Sequence, residues 1–584
     1  LRRQRILKNN EALDTYELAS VLLPGAGRYN LGALTQALDV PYPATHRALD
    51  DARATRGVYH RLLEKARELP VSLLAEIVHQ SRGLDWAGTQ PLQEILQTHR
   101  GELISPEALQ QILHAPLFRI GKDAAAPPLH PDEEPIPLDL DEVSAFLEPG
   151  GEFSRRFPEF EYRAQQVEML RAVTQALSEH RHLMVEAGTG TGKSMAYLTP
   201  AALWALQNQR RVVISTNTIT LQDQLINKDI PDLRAVLGAN LRAVVLKGRS
   251  NYLCPRRLEI LRHRGPESVD ELRVLSKVMV WLQETKTGDR SEINLNGPNE
   301  RMVWNRLSAD DEGCSADVCI KRFDGACPFH RARVAAQNAH LLVVNHALLL
   351  ADVATGNRVL PEYEYLIVDE AHHLEDATTN ALSFHVTQLD VERMLRELGS
   401  PTSGLLGWCL SAAMGILAPE EYGGLSYLVQ QATNYAFHLE SLGRDFFQSI
   451  DLFLQEQREG REMGQYAHQE RVIPATRAQP AWGEVELAWD DLQKALIPLL
   501  QHLAKLAKGM LEINEALAET DSELYGSLAS LLRRLQEFSE EIQALVFNPQ
   551  KDRVYWVEVQ PNGYRVSLHA APIHIGHLME KHIW

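Results

Sequence analysis

Short apolar runs separated by helical sequence dominate residues 153–376. Five of these runs have strand character, namely HLMVEA at 182–187, RVVIST at 211–216, RAVVLK at 242–247, HLLVVNH at 340–346 and EYLIVDE at 364–370. Continuous apolar strands that alternate with helices are typical of a parallel sheet buried on both faces. This part of the chain is therefore predicted to be an α/β domain that begins near residue 153.

A different periodicity follows at residues 377–547, where apolar side chains recur three and four positions apart, as in SELYGSLASLLRRLQEFSEEIQALV. This spacing predicts amphipathic helices, so we expect an all-α insertion. The next stretch, RVYWVEVQPNGYRVSLHAAP, alternates apolar and polar residues on both sides of Asn562-Gly563. That arrangement predicts a β-hairpin.

The residues before the α/β domain divide into three segments. Residues 1–69 have the pattern of a small helical piece, and residues 70–120 that of a connector made of short helices. Residues 121–152 are rich in proline and acidic residues and show no sustained period. This last segment is predicted to be an exposed linker.

Composition narrows the class of protein. With 584 residues, 45% hydrophobic and 23% charged, the chain has the make-up of a globular protein of several domains. Neither a membrane-spanning apolar run nor a secretory signal is visible, so we expect a cytoplasmic protein. A net charge of −18 argues against a protein that coats nucleic acid. Residues 242–264 are nevertheless basic, with one acid, Glu259, against Arg242, Lys247, Arg249, Arg256, Arg257, Arg262 and Arg264.

The glycine-rich stretch EAGTGTGKS follows the first predicted strand and precedes a predicted helix. Glycines leave the backbone free to wrap N–H groups around a phosphate, so this is a candidate Walker A loop for ATP. Lys193 would reach the β- and γ-phosphates, and the Ser194 hydroxyl would bind Mg²⁺. Ala187 replaces the usual first glycine, and the alternative is a plain turn in the core. The predicted ATP-binding residues are Gly188, Thr189, Gly190, Thr191, Gly192, Lys193 and Ser194.

An acidic pair, Asp369 and Glu370, ends the last predicted strand. Ligands bind at the carboxyl ends of strands in α/β sheets, so Asp369 could hold Mg²⁺ and Glu370 could activate the attacking water. The alternative is a charged turn. Upstream, Arg163 and Gln166 precede the first helix of the domain, and the Gln166 amide could bind adenine.

Four of the five cysteines form a candidate metal set. They are Cys254, Cys314, Cys319 and Cys327. Four thiolates suit structural zinc or an iron-sulfur cluster, and their spacing does not distinguish the two. The fifth, Cys409, is predicted to lie in the core. Near the start, His46 could act as a general base and Asp51 as a metal ligand, although a structural role is the alternative.

From about residue 157 onward the chain resembles the XPD/DinG family of iron-sulfur superfamily 2 DNA helicases. The resemblance rests on EAGTGTGKS, STNTITLQDQL, GRSNYLC, VVNHALLL and DEAH. It implies a RecA-like domain over residues 153–584, with an iron-sulfur insertion at 250–330 and a helical arch at 377–547. It also implies that the four cysteines hold a 4Fe-4S cluster and that single-stranded DNA passes between the insertions. The implied activity is ATP-dependent 5′ to 3′ movement with unwinding of duplex.

Residues 1–69 look like the C-terminal part of a DnaQ-like 3′-5′ exonuclease domain, which has an RNase H-like fold, because HRALDDA is similar to its third motif. The resemblance implies His46 as general base and Asp51 as ligand of a two-metal site. A second RecA-like domain is expected to be absent and the chain to be truncated at both ends. We therefore expect this chain to bind ATP and single-stranded DNA without unwinding duplex.

The resulting hypothesis is a DNA helicase with an attached exonuclease domain, acting in repair or replication. Its expected substrates are single-stranded DNA and forked or tailed duplex, and its possible partners are repair or single-stranded-DNA-binding proteins. Two alternatives are an ATP-regulated nuclease and an ATP-gated DNA-binding module. The sequence leaves the oligomeric state open.

Overall fold

The computed structural model describes most of the chain, with several gaps. The described residues are 13–43, 47–98, 126–131, 133–188, 190–309, 319, 323, 325–354, 359–458, 467–517, 522–561 and 565–582. The chain divides into two compact units. The first comprises residues 1–137, 202–211 and 239–342, and the second comprises residues 138–201, 212–238 and 343–584.

The N-terminal region is helical. Its first helix begins after Asp14, whose carboxylate caps the helix by accepting a hydrogen bond from the Tyr16 N–H at 2.8 Å. Its longest helix buries Ala54, Val58, Leu62 and Ala66, which recur every four positions and form one face of the helix. The helices are α1 (Thr15–Leu22), α2 (Leu31–Ala37), α3 (Ala48–Glu68), α4 (Val71–Gln80) and α5 (Thr89–Thr98).

The next helices and strands begin at Leu140, inside the segment 121–152 that was predicted to be a linker. A single π-helical segment, Leu225–Asp229, joins two of these helices, and Gly238 in the left-handed conformation ends the last of them. The elements are α6 (Leu140–Ala145), α7 (Glu152–Arg156), α8 (Ala164–Ser178), α9 (Lys193–Asn208), β1 (Val212–Thr216), α10 (Ile219–Gln224), α11 (Ile230–Leu237) and β2 (Ala243–Val245).

Three further helices share one apolar core with α1–α5. Trp281 and Trp304 pack edge to face in this core, with ring centroids 6.1 Å apart, and Leu18 and Val58 of the N-terminal helices belong to the same cluster. The N-terminal region and this segment therefore fold as one unit. The three helices are α12 (Pro255–Arg264), α13 (Val269–Trp281) and α14 (Gly297–Leu307).

A four-stranded sheet of order β2-β3-β1-β4 forms the α/β part. Strands β1 and β4 run parallel, with Val212 opposite Tyr365 and Ser215 opposite Val368. All five residues of β1 are buried, as expected for a central strand covered on both faces. The remaining elements of this part are α15 (Pro328–Gln337), β3 (Leu341–Asn345), α16 (His346–Ala354) and β4 (Tyr365–Val368).

The strand predicted at residues 182–187 is not formed. Leu183, Met184 and Val185 are 45%, 98% and 40% exposed, and no strand in the described part of the chain pairs with them. A strand exists only through hydrogen bonds to a neighbour, so an apolar run that lacks one is left extended and exposed. This prediction was wrong for that reason.

Long helices make up most of the segment predicted as the helical arch. Trp489 lies between Phe446 and Phe538, at ring-centroid distances of 5.4 and 5.7 Å, in a large apolar core. The elements of this segment and the residues after it are α17 (Leu374–Leu382), β5 (Phe384–Thr387), α18 (Gln388–Leu398), α19 (Gly404–Ala413), α20 (Pro419–Gln457), β6 (His468–Arg471), α21 (Pro474–Arg477), α22 (Pro480–Leu517), α23 (Ser522–Val546), β7 (Arg553–Gln560), β8 (Arg565–Pro572) and α24 (Gly576–His582).

The predicted hairpin is confirmed as β7 and β8, which pair antiparallel from Arg553 opposite Pro572 to Gln560 opposite Arg565. The residues 562–564 between them lie outside the described residues. The prediction of an all-α segment before the hairpin was wrong, because β5 and β6 lie within it and flank the hairpin in the order β5-β8-β7-β6. A lone hairpin exposes two edges, and the added strands cover both.

Candidate active site

The glycine-rich loop before α9 contains two residues in the left-handed backbone conformation. Gly190 and Gly192 adopt φ values of 81° and 80°, a region that favours glycine. The Thr191 hydroxyl donates to the carbonyl of Gly188 at 2.9 Å and closes the turn, while Thr189 lies outside the described residues. The loop ends at the N-terminus of α9, where unpaired N–H groups favour an anion.

Two side chains from the start of α8 support this loop. The Gln166 amide, almost fully buried, donates to the Gly192 carbonyl at 2.9 Å, and Arg163 donates to the Gly190 carbonyl. A Cβ atom at position 192 would lie 2.2 Å from Gln166 Nε2 and would displace this amide, and the φ of 80° is strained for any residue with a side chain. Gln166 therefore braces the loop, and its contact with adenine stays a prediction.

The acidic pair Asp369 and Glu370 lies beside the glycine-rich loop. Lys193 Nζ lies 3.4 Å from Glu370 Oε1, and both side chains are 29% exposed. Glu370 has a φ of 53°, a left-handed conformation that is strained for a residue with a side chain. Its N–H donates to Asp369 Oδ1 at 3.0 Å. The structure thus brings Lys193, Asp369 and Glu370 together at the carboxyl end of β4.

Asp369 has further partners that the sequence analysis missed. The Tyr197 hydroxyl is 3.2 Å from Asp369 Oδ2, and the Asp369 N–H donates to the Ser215 carbonyl at 2.8 Å. The Ser215 hydroxyl lies 2.7 Å from Nδ1 of buried His346. Burial raises the pKa of Asp369, and the hydrogen bond from Tyr197 opposes that rise. The position of Tyr197, four residues after Lys193 on a helix, was the available signal.

Family models match three parts of the chain. An exonuclease model matches residues 2–59, a DEAD/DEAH box helicase model matches residues 166–253, and a DEAD_2 model matches residues 317–391. The 3′-5′ exonuclease DinG of Bacillus subtilis is 27% identical over 98% of this chain and 60% of its own length. The chain is therefore DinG-like in the sense of a similarity: it resembles DinG over most of its length and DEAD/DEAH box helicases over parts of it.

Other relatives match shorter parts of the DinG-like chain. The ATP-dependent DNA helicase DinG of Photobacterium profundum is 28% identical over 70% of this chain and 58% of its own length. The ATP-dependent DNA helicase YoaA of Haemophilus influenzae is 36% identical over 42% of this chain and 38% of its own. Among solved structures, an XPD helicase covers 72% of this chain and 56% of its own at 13% identity and a TM-score of 0.32.

The DinG-like chain therefore spans at most about 60% of the length of these curated relatives. Its described fold combines a four-stranded α/β sheet with long helical segments, and the exonuclease model matches residues in front of them. Among the helices described for it, none has the length and hydropathy to cross a bilayer.

Three of the four predicted cluster cysteines lie in one small apolar core of the DinG-like chain. Cys254, Cys319 and Cys327 are buried there together with Tyr252 and Phe329. Cys254 and Cys327 directly precede α12 and α15, and none of the three is in a disulfide. Within the described residues no group of three or more His, Cys, Asp or Glu side chains is arranged as a metal site. The fourth cysteine, Cys314, lies outside those residues.

The exonuclease segment places its two predicted residues differently. His46 lies outside the described residues, and Asp51 lies in the first turn of α3, where Oδ1 accepts a hydrogen bond from the Tyr42 hydroxyl at 2.8 Å. Cys409 is fully buried among the arch helices, and burial raises the pKa of its thiol to about 12. Such a thiol is unreactive, in line with a packing role.

Several side chains of the basic stretch 242–264 find partners inside the protein. Lys247 Nζ is 2.9 Å from Asp289, and Arg264 Nη2 is 2.8 Å from Glu271. Arg262 forms a buried ion pair with Glu76 of α4. The charge of this run is therefore partly neutralised within the first unit.

Proposed function

We propose that the complete DinG-like protein is an ATP-dependent DNA helicase that moves 5′ to 3′ on single-stranded DNA and carries a 3′-5′ exonuclease domain. The proposal rests on one observation: Lys193 pairs with Glu370 beside a loop in which Gly190 and Gly192 adopt the left-handed conformation. Forked or tailed duplex is the proposed substrate, DNA repair or replication the proposed setting, and the cytoplasm the proposed location.

Each residue of the site has a separate proposed role in the binding and hydrolysis of ATP. When ATP binds, its γ-phosphate takes the Lys193 ammonium away from Glu370, which frees that carboxylate to orient and deprotonate the attacking water. The Ser194 hydroxyl and the Asp369 carboxylate are hard oxygen donors of the kind Mg²⁺ prefers, and they are the proposed ligands. A Mg²⁺ ion bound by these two groups would neutralise charge on the phosphates. Backbone N–H groups of the loop and of α9 hold the remaining phosphate oxygens.

The test is strand separation by the complete protein on a 5′-tailed duplex with ATP and Mg²⁺. Lys193→Ala removes the charge that faces the γ-phosphate, so we expect ATP affinity to fall about tenfold or more and unwinding to be lost. Lys505→Ala, an exposed lysine on α22, is the matched control and should change neither. ATP-independent separation, or full activity of Lys193→Ala, would contradict the proposal. Nuclease action alone, or ATP-gated binding without unwinding, would favour the two alternatives.

We also propose that Cys254, Cys314, Cys319 and Cys327 hold a 4Fe-4S cluster. The burial of three of these thiols in one apolar core supports this, because such clusters are bound by thiolates in shielded sites.

Anaerobically purified protein should contain about four iron atoms per chain if all four thiolates bind the cluster. Cys319→Ser should lose most of this iron, and Cys409→Ser, the cysteine in the arch core, should keep it. Elemental analysis is the measurement. Stoichiometric zinc without iron, or unchanged iron in Cys319→Ser, would refute the cluster.

A further inference from the structure

The arch helix α20 has apolar side chains on two opposite faces. One face, which includes Val429 and Ala436, is buried in the arch core. On the other side, Tyr427, Phe437 and Leu452 are 64%, 79% and 56% exposed. A helix at the surface of a globular protein normally has one apolar face, which packs on the core. The second set of apolar side chains therefore points to a contact outside this core.

These three exposed side chains lie on one stripe of the helix surface. At about 100° per residue, their directions fall within about 80° of one another, opposite the buried face. The Gln430 amide of the same stripe donates to Asn434 Oδ1 at 3.1 Å, so part of its polar surface is already hydrogen-bonded. We call this surface the outer stripe, and its exposed residues are Tyr427, Gln430, Asn434, Phe437, Ser441, Gln448 and Leu452. It combines aromatic and aliphatic side chains with uncharged polar ones.

Carboxylates follow one edge of the outer stripe. Glu420, Asp445 and Glu456 are exposed, and helix geometry places them within about 20° of this edge. The whole helix has six acidic residues against one arginine, Arg444, which pairs with Glu440 at 3.3 Å. Such a surface attracts a basic partner. It repels nucleic acid, and it repels a second copy of this chain, whose net charge is −18.

We infer that the outer stripe is a docking surface for a basic amphipathic helix of another protein. At 1.5 Å per residue, Tyr427 and Phe437 lie about 15 Å apart and Leu452 about 22 Å further on, so a partner helix of about 25 residues reaches all three. Apolar residues of the partner pack on these anchors, and its lysine or arginine residues face the three carboxylates. The outer stripe contains none of the residues of the nucleotide site, so the inference does not rest on the proposed function.

The experiment measures binding of a fluorescein-labelled synthetic peptide to the whole 584-residue chain by fluorescence anisotropy. The peptide is a helix of about 25 residues with leucine at the i, i+3, i+4 and i+7 positions of one face and lysine on the other. A scrambled peptide has the same charge but no apolar face. We expect the patterned peptide to bind about tenfold more tightly than the scrambled one, because its leucines reach the anchors.

Variants of the outer stripe test the anchors. Phe437→Ser and Tyr427→Ser should each weaken binding about tenfold, because each removes an aromatic anchor. Both side chains are exposed, so the thermal unfolding midpoint should stay the same in each variant. Asp445→Lys should weaken binding severalfold at low salt and less at high salt, as expected for a charge at the rim. Leu487→Ser is the matched control, because this side chain of α22 is 63% exposed and lies off the stripe.

The inference is overturned if the patterned peptide does not bind, or if both peptides bind equally, since charge alone then explains the affinity. Unchanged binding in Phe437→Ser, or an equal loss in Leu487→Ser, would also overturn it. A single-stranded oligonucleotide that displaces the peptide and binds more weakly to Phe437→Ser would assign the stripe to nucleic acid instead. Self-association of the unmodified chain that Phe437→Ser abolishes, measured by sedimentation, would assign it to a second copy. Either result excludes the basic helix as the partner.

Discussion

At the scale of single residues, Glu370 combines strain with charge. Its left-handed backbone costs about 1–2 kcal/mol relative to an ordinary conformation, and it directs the carboxylate toward Lys193, 3.4 Å away. The strain persists because Asp369 accepts the Glu370 N–H and because β4, which precedes the turn, is paired with β1. A carboxylate held over the loop can activate a water molecule, but its negative charge repels a phosphate bound nearby.

We therefore expect Glu370→Gln to separate binding from hydrolysis. The amide keeps the shape of the side chain but removes its negative charge, so Mg²⁺-ATP should bind as tightly or severalfold more tightly. Loss of the general base should slow ATP hydrolysis about 100-fold or more. Single-turnover hydrolysis and nucleotide titration of the complete protein are the measurements. Glu375→Gln, an exposed residue of α17, is the control, and unchanged hydrolysis in Glu370→Gln would exclude the assigned role.

At the scale of elements, the second sheet carries a polar row on the face away from the arch core. His569 of β8 stacks on Trp556 of β7, with ring centroids 4.7 Å apart and planes 7° apart, and lies 4.7 Å from the His385 ring of β5. Its Nε2 is 2.9 Å from the Ser567 hydroxyl and 4.0 Å from Glu558. Burial lowers the pKa of His569 to about 4, with His385 adding to the effect and Glu558 opposing it.

This histidine should make the sheet sensitive to acid. Its pKa is lower in the folded than in the unfolded protein, so the unfolded state binds more protons between about pH 4 and 6.5 and stability is lost as pH falls through that window. The loss is at most about 3 kcal/mol. His569→Gln should remove this contribution, so its urea midpoint should depend less on pH. His577→Gln, a fully exposed histidine, should behave like the unmodified protein. Equal pH dependence in both variants would show that His569 is not the group responsible.

At the scale of the whole molecule, the N-terminal region, which comprises the residues that the exonuclease model matches and the helices α4 and α5 after them, is not merely attached to the sequence that follows. Its helices share a core with α12–α14, which lie more than 150 residues later in the chain. Glu76 of α4 forms an ion pair with Arg262 of α12, with Arg262 Nη2 2.7 Å from Oε2, and the two side chains are 1% and 2% exposed. Gln80 donates to the Arg262 carbonyl at 2.8 Å. Both parts of the sequence therefore contribute side chains to the core of the first unit.

Breaking this pair should destabilise the first unit selectively. Glu76→Gln leaves the Arg262 charge buried without its partner, which costs about 3–5 kcal/mol. Hydrogen exchange should rise in α4 and α12 while the arch helices keep their protection, and the double variant Glu76→Leu/Arg262→Leu should recover much of the loss. Glu94→Gln, exposed on α5, is the control. Unchanged exchange in Glu76→Gln would mean that the pair does not join the two parts.

Local pattern was enough for the features whose cause is local. Glycine, lysine and serine at the spacing of residues 188–194 predict an ATP-binding loop, and Asp369 and Glu370 are predicted to act with it because they end an apolar strand. The roles of these residues stay predictions, and the structure places Lys193 beside Glu370. Asn562-Gly563 between two runs of alternating apolar and polar residues predicted the hairpin. Apolar side chains three and four positions apart predicted the long helices. Each of these signals lies within about a dozen residues, where backbone geometry and side-chain chemistry act directly.

Only the tertiary structure decided the rest, because contacts between distant residues leave no periodic trace in one sequence. Tyr197 reaches Asp369 across 172 positions, and Glu76 reaches Arg262 across 186. The run at 182–187 has the composition of a strand, but no described strand pairs with it. The strands β5 and β6 are too short to be recognised from the sequence, and they form because the hairpin strands β8 and β7 pair with them. The sequence by itself pointed to Lys193, Asp369 and Glu370 and to most of the helices and strands that form. Their pairing, their burial and the choice of Tyr197 as partner of Asp369 depended on packing, where each contact is stable only in the presence of the others.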